Sequence, residues 1–99
     1  MDDARLKEIV KLAKMNMRID WTDDDELIEY KIKRSFNYLK SKTGSELTFE
    51  DDSAELELVL ERVRYDWNNS LDDFENNYKR ELLSLIMEKA LEAEQDGPN

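Results

Sequence analysis

The sequence predicts an all-α fold, a small bundle of about four helices, on three observations. Apolar residues recur three and four positions apart rather than alternating. The 99-residue chain holds only two glycines and one proline, too little turn chemistry for a set of hairpins. Acidic residues also gather ahead of most periodic segments and basic ones behind them, the polarity that helix dipoles favour.

Taken in order, Leu6, Ile9, Val10, Ala13 and Met17 share one side of a first helix, which runs from Asp2 and Asp3 to Lys11, Lys14 and Arg18. A second helix carries Ile28, Ile32, Ser35, Phe36 and Leu39. Its start is the crowded stretch Arg18-Ile-Asp-Trp-Thr-Asp-Asp-Asp-Glu-Leu-Ile, where Thr22 is placed as N-cap with Asp25 three residues on. Lys31, Lys33, Arg34, Lys40 and Lys42 follow, and Gly44 stands where a left-handed residue ends a helix. The acid run therefore reads as a helix start and not as a metal site.

Residues 43–52 make the longest loop, with Leu47 and Phe49 expected to tuck onto the core. Leu56, Val59, Leu60, Val63 and Trp67 mark a third helix, and Leu71, Phe74, Tyr78, Leu82 and Leu85 a fourth. Asn68-Asn69-Ser70 between them reads as a stop and a new cap, with Asp73 three residues after Ser70. The whole is one helical domain over residues 1–94, followed by a frayed tail at 95–99.

Some apolar residues exceed what these stripes need. At about 100° per residue, Leu58 and Tyr65 lie nearly opposite the core face of the third helix and share one side. Leu82, Leu83, Leu85, Ile86, Met87, Ala90 and Leu91 cover an arc of about 240°, far wider than the stripe of about 100° that a surface helix uses. This last helix also ends in Glu88, Glu92, Glu94 and Asp96, against its own dipole. Leu58, Tyr65, Leu83, Met87 and Leu91 are therefore the candidate protein-interface residues.

Composition removes most other functions. Charged residues are 40% and hydrophobic ones 39%, so much of the surface is charged and the core is thin. The net charge of -10 sits almost wholly in the second half: residues 1–42 are +1 and residues 43–99 are -11. Such acidity opposes binding to nucleic acid and to anionic membranes. No apolar run is long enough to span a bilayer, and the N-terminus lacks a leader pattern, so a soluble, unexported protein is expected.

With no cysteine and no histidine, thiolate metal sites and His-assisted nucleophiles are unavailable. The acids at Asp20–Glu26 lack the glycine and ligand spacing of a calcium loop. Glu57, Glu61, Asp72 and Asp73 could meet around magnesium, but such pairs are more often a solvated face. Trp21, Tyr30, Tyr38 and Tyr65 lack the basic groove that base stacking needs. The sequence thus offers no catalytic residue, no cofactor and no metal site. One further use of acid is mimicry of DNA, for which Glu46 to Glu61 supplies seven carboxylates and no base.

The series Leu12, Arg18-Ile19-Asp20, Asp24-Asp25-x-Leu27-Ile28, Phe36-x-x-Leu39, Thr43-Gly44, Arg64-Tyr65-x-x-Asn68, Phe74, Tyr78 and Leu82-Leu83 resembles the head-to-tail connector (adaptor) proteins of long-tailed bacteriophages. The resemblance spans about residues 5 to 91, and its motifs are mostly caps and core positions. It departs from the pattern in its longer aspartate cluster and in Trp67. What it implies is a non-enzymatic virion protein, all-α, made in the host cytoplasm. Copies would assemble into a ring of about a dozen between the portal protein and the tail or stopper protein, leaving a channel for DNA. No membrane and no specific nucleic-acid contact is implied, and the C-terminal segment would help to engage the portal.

Overall fold

A computed structural model describes residues 1–95, and the remaining tail, 96–99, lies outside the described residues. These residues form α1 (Asp3–Met17), α2 (Asp25–Thr43), α3 (Ala54–Trp67), α4 (Phe74–Asn77) and α5 (Lys79–Gln95), with a single 3-10 turn at Leu71–Asp73 ahead of α4. The fold is all-α, with five helices where about four were expected, because the fourth segment breaks into three pieces. Gln95, expected in the tail, is the last residue of α5.

Helix α3 is the centre: α1, α2, α5 and the 3-10 turn all touch it. The core joins Leu6, Ile9, Val10 and Ala13 of α1, Ile28, Ile32, Phe36 and Leu39 of α2, and Leu56, Leu58, Val59 and Val63 of α3. Apart from Leu58, these lie on the stripes that the spacing predicts. Leu47 and Phe49 do tuck in, and the Phe36 and Phe49 rings lie 4.3 Å apart. Phe49 holds a left-handed backbone (φ 52), a strained state for a bulky residue. Its buried ring and the bond that its carbonyl accepts from Arg5 Nη2 at 2.7 Å keep it there.

The caps follow local chemistry, with two corrections. Asp2 caps α1 by accepting from Arg5 N at 2.8 Å, and Ser53 caps α3 by accepting from Leu56 N at 3.1 Å. Gly44 ends α2 with φ 64. Thr22 is not the cap of α2, because residues 22–24 turn first and Asp24 occupies the N-cap without a side-chain bond to the helix. Its carboxylate instead accepts from Trp21 Nε1 at 2.8 Å. Similarly, Ser70 makes no side-chain cap, and Asn69 (φ 58) turns the chain out of α3.

Candidate protein-interaction site

The five interface candidates separate into two groups. Leu58 is only 3% exposed and belongs to the core, so it is withdrawn as an interface residue. The spacing marks a single core stripe on α3, whereas a helix surrounded by neighbours buries residues on several sides. Tyr65 is half-buried and occupied within the chain. Its ring meets Phe74 and Tyr78 edge-on at 5.8 Å and 5.7 Å, and its hydroxyl accepts from Asn77 Nδ2 at 2.9 Å. It is a pillar for the broken segment rather than a free surface.

Leu83, Met87 and Leu91 are 51%, 64% and 57% exposed. They lie four residues apart along α5, and Ala90, also exposed, and half-buried Ile86 widen the stripe. Helix α5 meets the bundle through Leu82 and Leu85, which point about 140° away from the stripe's centre. The helix is thus apolar on two faces and has a partner for one.

Charge on α5 is reversed relative to the other helices. Lys79 and Arg80 stand at its start beside Glu81, and its last turn contains no basic residue. Each charge set against the dipole in this way costs about 0.3–1 kcal/mol at an exposed terminus. Helices α1, α2 and α3 all place acid in the first turn and base in the last. Lys89 pairs with Glu92 at 3.2 Å, while Arg80 and Glu94 make no ion pair among the described residues.

The join between α4 and the bundle, just ahead of α5, is polar and aromatic. Tyr38 donates a hydrogen bond to Glu75, which also pairs with Lys42 at 3.1 Å. Together these hold the Glu75 carboxyl below its ordinary value of 4.5, the Tyr38 hydroxyl being the largest cause. Burial, reinforced by Glu75, raises the Tyr38 hydroxyl. Beneath them Arg62 is buried, donates to Ser35 Oγ at 3.0 Å and stacks 4.3 Å from the Tyr38 ring centre. Burial lowers the pKa of this guanidinium from its usual range. Sequence spacing missed this network, because Ser35 and Arg62 meet only across two packed helices.

A second outward patch lies on the first half of α2, where Leu27 and Tyr30 are exposed one turn apart and Arg34 stacks on Tyr30 at 5.6 Å. Trp21, just before α2, is exposed too. No signal in the apolar stripes marked this patch, since Leu27 and Tyr30 fall between core positions. Lys42 shares a surface groove with α5 residues Lys79, Leu83 and Ile86. It stands twelve residues beyond Tyr30, about 18 Å along the helix, so the two patches occupy different ends of α2.

Among the described residues, no three or more carboxylates converge as metal ligands, and no helix is long and apolar enough to cross a membrane. Glu61, one of the possible magnesium ligands, is held by Arg64 Nη2 at 2.6 Å and by the Tyr78 hydroxyl at 3.1 Å. No protein-family model, curated protein or solved structure matches the chain.

Proposed function

We propose that the chain is a non-enzymatic assembly protein, and that it serves as a phage head-to-tail connector, a ring subunit between portal and tail or stopper. The observation that carries the assembly role is the α5 stripe: three large apolar side chains, each at least half exposed, on a helix already packed through another face. The exposed α2 patch supplies a second, different surface, and a ring built head to tail needs two unlike surfaces on every copy. The connector assignment adds the resemblance in the caps and core positions. An acidic wall suits a conduit, since it repels phosphate and lets DNA slide.

Mimicry of DNA has no observation in its favour. Of the seven carboxylates from Glu46 to Glu61, Glu46, Asp51, Glu55 and Glu61 are engaged by Lys40, Arg5, the Thr48 amide and Arg64 respectively. These pairings interrupt the run of carboxylates that mimicry would present.

Mixing the protein with the portal protein of the same genome and measuring mass by light scattering tests the connector assignment. A stable complex carrying many copies per portal ring is expected. Portal rings that stay bare at every concentration would overturn it.

A further inference from the structure

We propose that two copies of the free protein pair through α5, antiparallel, with Met87 on the two-fold axis. The stripe itself dictates this register. Leu83 and Leu91 stand four residues either side of Met87, and Arg80 and Glu94 stand seven either side. Laid antiparallel, Leu83 of one copy faces Leu91 of the other, Met87 faces Met87, and each Arg80 faces a Glu94. All five positions are exposed.

Charge favours the same arrangement. The end of α5 has acid and no base of its own, and its start has two bases, Lys79 and Arg80, against one acid, Glu81. Antiparallel pairing sets each acidic C-terminal turn beside the partner's basic N-terminal turn, so charges that oppose their own dipole are matched by the second copy. A parallel pair would instead stack Arg80 on Arg80 and Glu94 on Glu94. The groove beside Leu83, walled by Asn76, Asn77, Lys79, Arg80 and Glu81, leaves room for the partner's last turn.

The contact is isologous, so it closes at two copies and cannot itself build a ring. It covers the apolar stripe while the protein is free. From Arg80 to Glu94 the paired length is about 21 Å, short for a permanent interface, so the dimer dissociates on dilution. The inference rests on α5 alone and stands or falls apart from the connector assignment.

The chain has no cysteine, which makes cross-linking clean. Leu83→Cys and Leu91→Cys proteins, helical by circular dichroism, are treated with a short bis-maleimide separately and as a mixture. The mixture is expected to yield cross-linked dimer, with each variant alone giving several-fold less. Preferential cross-linking of each variant to itself would overturn the antiparallel register. A wild-type mass that stays monomeric up to on the order of 0.5 mM would overturn the pairing altogether.

Charge exchange checks the register a second way. Arg80→Glu or Glu94→Arg alone should weaken dimerisation about tenfold, and the double exchange should restore it. A double exchange as weak as the singles would overturn the Arg80–Glu94 contact. Portal is absent from every arm, so a failed connector assignment leaves these results unchanged.

Discussion

Helices α3 and α5 both carry apolar residues on more than one side, yet they end up as opposites. Helix α3 has neighbours nearly all round it and buries Leu56, Leu58, Val59 and Val63, together with the polar Glu55 and Arg62. Helix α5 buries Leu82 and Leu85 and leaves Leu83, Met87 and Leu91 in solvent. The width of an apolar arc is therefore no guide to its use. Place in the bundle decides: surplus on a central helix becomes core, and surplus on a peripheral helix becomes a surface awaiting a partner.

The widest separation between the two is expected from truncation. Leu58→Ala should cost about 2–5 kcal/mol, as a buried leucine does when its cavity cannot collapse. Leu83→Ala in the monomer should cost less than about 0.5 kcal/mol. Urea unfolding, at concentrations below any self-association, measures both. Equal costs would erase the contrast between α3 and α5.

Next in size are the caps. Ser53→Ala removes the acceptor for Leu56 N at the start of α3 and should cost about 1 kcal/mol. Thr22→Ala should leave stability unchanged, because Thr22 does not cap α2. Thermal melts of the two variants side by side distinguish them.

This pair of positions also marks how far the sequence could be read. Core stripes on α1, α2 and α3 were legible because burial repeats with the 3.6-residue turn, and Gly44 was legible because left-handed backbone favours glycine. Thr22 misled because a capping pattern records composition, whereas the chain turns once more before α2 begins. Leu58 misled because periodicity locates one face and cannot count a helix's neighbours. The surplus on α5 was legible as surplus, and three of its members are indeed exposed. The Arg62–Ser35–Tyr38 network and the α2 patch were not legible, since neither follows a repeat along the chain.

A smaller effect lies where α4, just ahead of α5, is tied to α2. Glu75 has a lowered carboxyl pKa in the folded chain, so it contributes stability above its ordinary value of 4.5 and loses it as pH falls through the folded value. Glu75→Gln should flatten stability in that acid window. The change should be slight, because the carboxylate is solvated and salt screens it. Denaturation curves taken between neutral and acid pH, at low and high salt, read out this dependence.

The smallest effect on stability should come from the most severe-looking substitution, Leu83→Glu with Met87→Glu. Two charges in the middle of an apolar stripe would ruin a core helix, yet here both side chains already stand in water. Glutamate is also a good helix former, and solvent can hydrate both carboxylates. Helix content and unfolding midpoint should therefore stay near wild type while self-association and any portal binding are lost together. Loss of the fold would instead mean that α5 is held through this face, and the distinction between the central and the peripheral helix would fail at the point where it has the most to explain.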